Sequence, residues 1–227
     1  MASEIVPLSP LRGETPRLRP ATEPLPYSEW GDEDLMLEHG LGNEAAFEEL
    51  VRRFNRPVFN YIYRMVQNRH VAEELSQEVF MALVKNAGRY TPTAKFSTYL
   101  YTIASNVVYK EWARQKRRPK FFSLSWWGGD HSDEGDSPMD SVSDESACVL
   151  TAFKRGEVSE AVNEALHHLP EHYREAFVLR RFQGLSYDEI AEITDCPLGT
   201  VKSRIARAEH ALRPFLEKYR EYITGEL

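Results

Sequence analysis

Cysteine is scarce in this chain. Cys148 and Cys196 are the only two in 227 residues, and their separation fits neither a disulfide framework nor a paired metal knuckle. Each reads as a lone reduced thiol. Long hydrophobic runs are missing too: no stretch approaches the roughly 18 apolar residues of a membrane helix. The first thirty residues alternate Pro, Arg, Glu and Leu with no secretory apolar segment. These absences predict a cytoplasmic protein without membrane insertion. Positive charge is also in deficit, with 28 Lys and Arg against 35 Asp and Glu and a formal net charge of -7. That average argues against nucleic acid, whose binders are usually basic.

The average conceals blocks. Residues 28–49 carry eight acids and no base, whereas residues 50–120 carry fourteen bases against four acids, a local +10. Residues 121–158 fall back to -6 and include Gly128-Gly129 and a run of aspartates. Six of the thirteen prolines lie in residues 1–26, a stretch with almost no periodic apolar pattern. The composition therefore predicts four segments: a disordered Pro-rich tail over 1–31, a helical unit over 32–118, a flexible acidic linker over 119–158, and a second helical unit over 159–222.

In the first unit Phe47, Leu50, Val51 and Phe54 recur at helical spacing. Pro57 interrupts, and Val58, Tyr61, Ile62, Met65 and Val66 resume the period, which predicts an antiparallel pair of helices. A third helix is expected over His70 to Val84, with Ala72, Leu75, Val79 and Leu83 on one face and Glu73, Glu74, Gln77 and Glu78 over much of the rest. Taken alone, such an acidic face is solvated surface.

The fourth helix is expected to start from a cap at Ser97 and to bury Leu100, Ile103, Ala104 and Val107. Thr102, Asn106, Tyr109 and Ala113 then fall on the opposite face, with Lys110 to one side. The helix ends in Arg114-Gln115-Lys116-Arg117-Arg118 before Pro119, and Tyr99, Tyr101, Tyr109 and Trp112 are interleaved with this basic run. Cationic side chains can follow a phosphate backbone while exposed rings stack on unpaired bases. The competing reading makes the run a solvated face and places half or more of the tyrosines in the core or at its boundary.

The second unit starts with Val162, Leu166 and Leu169, then Pro170, then Tyr173, Phe177 and Leu179, two helices meeting at a proline near a helix start. His168-Leu169-Pro170-Glu171-His172 spells the H-x-x-E-H of one class of zinc peptidase. That chemistry needs both histidines on one continuous helix, and Pro170 stands between them. No catalytic, metal or cofactor site is therefore expected. Ser186 and Glu189 make a capping box for a short helix that buries Ile190, Ala191 and Ile193. Asp195-Cys196-Pro197-Leu198-Gly199 breaks it, and a new helix carries Val201, Ile205, Ala208 and Leu212. The spacing is that of a helix-turn-helix. Gly199, Ser203, Ala206, Arg207 and His210 would point outward between Lys202 and Arg204, with no acid from Cys196 to Ala208. In a major groove Ser203 and Arg207 would reach bases, and Lys202 and Arg204 mainly phosphates. A helical hairpin that binds nothing is the competing reading.

Two motif sets narrow the choice. Ala72-Glu73-Glu74-Leu75-Ser76-Gln77-Glu78-Val79-Phe80 and Phe96-Ser97-Thr98-Tyr99-Leu100-Tyr101-Thr102-Ile103-Ala104-Ser105-Asn106 resemble region two of bacterial sigma factors of the extracytoplasmic-function (ECF) group. Leu169-Pro170-Glu171-His172-Tyr173-Arg174, Leu185-Ser186-Tyr187-Asp188-Glu189-Ile190-Ala191 and Gly199-Thr200-Val201-Lys202-Ser203-Arg204 resemble region four of that group. The resemblance covers about residues 35–118 and 159–218.

It implies an all-α protein of two small helical domains that binds core RNA polymerase, directs it to promoter DNA and helps melt that DNA. It further implies that Glu74, Leu75, Gln77 and Glu78 dock on the clamp helices of the largest polymerase subunit. Asn106, Tyr109, Lys110 and Arg114, followed by the basic Lys116, Arg117 and Arg118, would read the melted minus-ten element. The helix from Thr200, with Lys202, Ser203, Arg204 and Arg207, would read the minus-thirty-five element, and its domain would touch the flap of the second-largest subunit. The acidic linker would thread the polymerase channel.

Tyr99 stands where the family usually has Trp, and Pro214 is expected to kink or end the last helix. The tail and the linker aromatics Phe121-Phe122 and Trp126-Trp127 fall outside the shared pattern. They are candidate sites for an anti-sigma partner, or a local anchor on the first unit. The rival reading is a helix-turn-helix regulator that is not a polymerase subunit.

Overall fold

The computed structural model describes residues 26–117 and 161–216. Most of the Pro-rich tail, Arg118, and the acidic linker with its Phe121-Phe122 and Trp126-Trp127 pairs lie outside the described residues. Among the described residues all regular structure is helical: α1 (Asp32–Gly40), α2 (Glu44–Val66), α3 (Arg69–Asn86), α4 (Phe96–Arg117), α5 (from residue 161 to 167), α6 (Glu171–Arg181), α7 (Tyr187–Ile193) and α8 (Leu198–Leu216), with single 3-10 turns at Tyr27–Glu29 and Ala87–Arg89.

Composition assigned residues 27–31 to the tail, yet they are pinned to α2. Arg53 donates to the carbonyls of Tyr27, Ser28 and Trp30 and pairs with Asp32 at 2.6 Å and Glu49 at 2.7 Å. α1 then begins with Asp32, Glu33 and Asp34 at its positive end, and buries Leu35 and Met36.

The helix break expected at Pro57 does not occur. α2 runs unbroken over 23 residues, capped by the Asn43 side chain, which accepts from the Ala46 amide. The proline costs about 3 kcal/mol through its missing N–H and ring clash. Beyond it, however, Val58, Ile62 and Met65 are fully buried on the stripe that Leu50 starts. Each contributes about 1.5–3 kcal/mol, so tertiary packing outweighs the local penalty. The chain turns instead at Gln67, in the left-handed region with φ 52°, after which Asn68 caps α3 by accepting from Val71.

The start of α4 also differs from expectation. Its first amide, that of Phe96, is taken by the Glu33 carboxylate of α1 at 2.7 Å, so the cap comes from another helix and Ser97 lies inside the first turn. α1 is placed by Gly40, where a β-carbon would stand 2.8 Å from the Ala87 carbonyl oxygen.

In the second unit Pro170 opens α6, its carbonyl accepting from Tyr173 and Arg174. The Ser186/Glu189 capping box starts α7 as the sequence indicates. Asp195, at φ 46°, turns the chain. α8 starts at Leu198, with the Pro197 carbonyl accepting from Thr200 and Val201. Leu198 and Gly199 thus belong to the helix and not to the break. Pro214 does not end α8, which runs on through it to the last described residue, Leu216.

The two units are not separate bodies. α6 packs on α2 and α7 on α4, and the buried side chains of both form one continuous core. Arg174 fastens the seam: although buried, it donates to the carbonyl of Met65 at 2.6 Å and to those of His167 and Leu169. Arg64 lies over the Phe182 ring at 4.1 Å, and Gln67 donates to the Asn163 carbonyl.

Candidate nucleic-acid interface

α4 presents the first candidate surface. Leu100, Ala104 and Val107 are buried, which turns Asn106, Lys110, Ala113, Arg114, Lys116 and Arg117 to solvent. The aromatic residues divide: Tyr101 and Trp112 are core, Tyr99 is half-buried against Tyr90, and Tyr109 keeps 39% exposure. Of the four, Tyr109 alone offers an open ring edge for stacking, and Trp112 braces it edge-on at 5.1 Å.

α3 runs beside this face. Glu74, Gln77 and Glu78 are exposed, whereas Leu75 is only 6% exposed and sits at the base of a groove. Glu74, Leu75 and Glu78 form one wall of that groove, and Val107, Lys110, Glu111 and Arg114 form the other. The two residue sets that the sequence separates into polymerase-facing and DNA-facing are therefore neighbours. Glu111, nearly buried, orients the basic end of the groove by accepting from Arg114 at 2.6 Å and from Gln115 at 2.9 Å.

α8 presents the second surface. Val201, Ile205, Ala208 and Leu212 are buried, so Lys202, Ser203, Ala206, Arg207 and His210 face outward, with Thr200 and Arg204 half-buried at the edges. The Ser203 hydroxyl donates to the Thr200 carbonyl, which leaves its lone pairs available to a donor. Lys202 reaches over Tyr187, with its ammonium 5.9 Å from the ring centroid.

Sequence reasoning missed the way α6 engages both surfaces. Glu171 pairs with Lys116 at 2.9 Å, Tyr173 accepts from Arg207 at 3.0 Å, and Glu175 accepts from Tyr109 at 2.5 Å and from Ser105. Glu175 is fully buried. Burial pushes its carboxyl above the usual range, against the opposing hydrogen bonds from Ser105 and Tyr109 and the field of Arg204. The Tyr109 phenol is raised as well, by burial and then by the Glu175 charge. Glu175 precedes Val178 and Leu179 by three and four residues and so lies on their apolar stripe, which is the signal that could have found it. Two further polar ties close the seam, Tyr101 donating to Gln183 at 2.5 Å and Lys95 pairing with Glu189 at 2.9 Å.

The H-x-x-E-H residues are not brought together on one helix. His168 follows α5 and stacks on Phe215 at 5.0 Å, while His172 lies in α6 edge-on to Tyr173 at 4.2 Å. No helix of the described residues is long and apolar enough to cross a membrane.

Residues 50–118 match the family described as Sigma-70 region 2, and residues 159–212 match Sigma-70, region 4. The chain is 31% identical over 186 residues to the RNA polymerase sigma-H factor of Pseudomonas aeruginosa, covering 82% of this chain and 94% of that protein. It is 32% identical over 172 residues to the ECF RNA polymerase sigma factor SigW of Bacillus subtilis, covering 76% and 89%. Among solved structures, the sigma factor RpoE in complex with the anti-sigma factor NepR from Bartonella quintana shares the fold. The match covers 75% of this chain and 96% of that chain at 21% identity and TM-score 0.59.

Proposed function

The chain belongs to the ECF group of RNA polymerase sigma factors, and on that premise we propose how its surfaces divide the work of promoter recognition. Residues 32–118 form the domain that docks on core polymerase and reads and melts the minus-ten element. Residues 159–222 form the domain that reads the minus-thirty-five element, and 119–158 link the two through the polymerase channel.

On the first domain, the exposed acidic and amide face of α3 (Glu74, Gln77, Glu78, with Leu75 at its base) meets the clamp helices of the largest subunit. Asn106, Tyr109, Lys110 and Arg114 of α4 face the melted strand. Tyr109 stacks on an unpaired base while Lys110, Arg114, Lys116, Arg117 and Arg118 follow the phosphates. On the second domain, Ser203 and Arg207 contact base edges, and Thr200, Lys202 and Arg204 hold the backbone. The flap of the second-largest subunit is a further contact of this domain. The chain performs no catalysis of its own and works in the cytoplasm, without a cofactor, and an anti-sigma factor is its regulatory partner.

The observation that carries this reading is the adjacency of the acidic α3 face and the basic α4 face across one groove. A surface that meets polymerase on one wall and the DNA strand on the other couples docking to melting. The rival reading, a regulator apart from polymerase, is not favoured, because the match extends through the first domain as well as the helix-turn-helix. The test is co-purification with core polymerase. The double substitution Glu74→Ala/Gln77→Ala is expected to weaken retention at least tenfold with helical content unchanged. Undiminished retention would remove the α3 assignment.

A further inference from the structure

α6 holds one candidate DNA-contacting residue at each of Glu171, Tyr173 and Glu175, drawn from both reading surfaces. The first two contacts lie at the surface, where a pair between exposed groups holds weakly. Glu175 differs in kind. It is fully buried between α4 and α6, takes one hydroxyl on each carboxylate oxygen, and enters none of the ion pairs among the described residues.

We propose that Glu175 is a latch that closes the second domain over α4 in the free factor and keeps that closed arrangement reversible, because its carboxylate is held there by the hydroxyls of Ser105 and Tyr109 and makes no ion pair among the described residues. The inference rests on the assignment of Tyr109, Lys116 and Arg207 to DNA. In the closed arrangement Tyr109 spends its hydroxyl on Glu175 and its inner edge on the seam, so α4 cannot present the ring fully to an unpaired base. Opening returns the carboxylate to water, which solvates a charge better than two hydroxyls do. The hydrogen bonds close the latch and the unpaired charge limits how tightly it shuts. A neutral isostere that keeps one hydrogen bond and reverses the other, its amide nitrogen donating to a hydroxyl oxygen, should therefore close more firmly than the native residue, the opposite of what loss of an ordinary structural contact would do.

The Lys95 ammonium and the Glu189 carboxylate meet across the same seam at 2.9 Å, which supplies a native reporter. A carbodiimide joins such a pair directly, and the linked peptides are quantified by mass spectrometry on the full-length chain without polymerase or DNA. Glu175→Gln is expected to raise the Lys95–Glu189 cross-link at least twofold over the unmodified chain, and Ser105→Ala to lower it at least twofold. A rise cannot come from misfolding, so the first variant stays decisive even if the second is unstable; Tyr109→Phe serves as an alternative opener. An equal or lower yield in Glu175→Gln, or no cross-link in the unmodified chain, overturns the latch. Because neither polymerase nor DNA is present, such a failure leaves the assignment of the reading surfaces untouched, and a failed co-purification leaves the cross-link result standing.

Discussion

The Arg174 guanidinium donates to the carbonyl of Met65 at 2.6 Å, so a cation from the second domain caps the last turn of a helix in the first. A second amino group of Arg174 reaches the carbonyls of His167 and Leu169, at the end of α5 and in the turn before α6. A planar fork of donors suits this position, since the terminal carbonyls of a helix lack partners and carry its negative pole. Arg174→Ala is expected to cost about 3 kcal/mol, within the range for losing charged hydrogen bonds to buried groups. Urea unfolding monitored by circular dichroism measures it as a lower midpoint. Arg174→Lys should recover less than half of the loss, because an ammonium cannot span three carbonyls in two directions.

On α8, the two kinds of contact predict different failures. Arg207→Ala should reduce discrimination among minus-thirty-five sequences by about 1–3 kcal/mol at the base it reads. Lys202→Ala should weaken binding nearly uniformly and lower the slope of log affinity against log salt by about 1. Titrating holoenzyme against promoter variants at several salt concentrations separates the two. The same loss on every promoter from both substitutions would contradict the roles given to them.

Acid should favour the closed arrangement over the range just above the ordinary carboxylate pKa. Burial raises Glu175 when it is closed, with Tyr61 on α2, Ser105 and Tyr109 on α4, and Arg204 on α8 facing it. A group raised in the closed state contributes fully to closure below its open-state pKa, and that contribution is lost as pH rises through the closed-state value. Glu189 acts in the reverse sense. The hydrogen bond from Lys95 and that from the Ser186 amide hold its carboxyl low, so its contribution is complete above the ordinary value of 4.5 and fails only below it. In the window just above the ordinary carboxylate value of 4.5, Glu175 is therefore the carboxylate of the two whose titration changes closure. Small-angle scattering should show the radius of gyration rising with pH across that window, with the rise absent in Glu175→Gln.

Much of this molecule is legible in the residue order. The stripes of α3 and α8 place their core residues correctly, that of α4 does so except for Ile103, which is only partly buried, and the Ser186/Glu189 box starts α7 where the spacing indicates. The exposed faces carrying Asn106, Lys110, Arg114, Lys202, Ser203 and Arg207 follow from the same periodicity. What escaped depends on other helices. Pro57 looks like a break because its local cost is visible and the packing of Val58 and Ile62 against distant helices is not. Ser97 looks like a cap because Glu33, 63 residues earlier, is not in view when α4 is considered alone. The seam itself was hidden for the same reason: Glu175 and Ser105 are 70 positions apart, and nothing local to either announces the other.

Gly40 gives one of these distant dependencies a mechanical form. Its missing side chain lets α1 lie flush against the Ala87 turn, where a β-carbon would stand 2.8 Å from the carbonyl oxygen. From that seat Glu33 reaches the first amide of α4 and Asp32 reaches Arg53. α1 is thus a strut, and the bearing on which it rests is a hydrogen atom. Shimming that bearing by one methyl group would tilt the strut and shift the origin from which α4 is sighted along the DNA. The result would be a factor with every helix intact and its aim displaced.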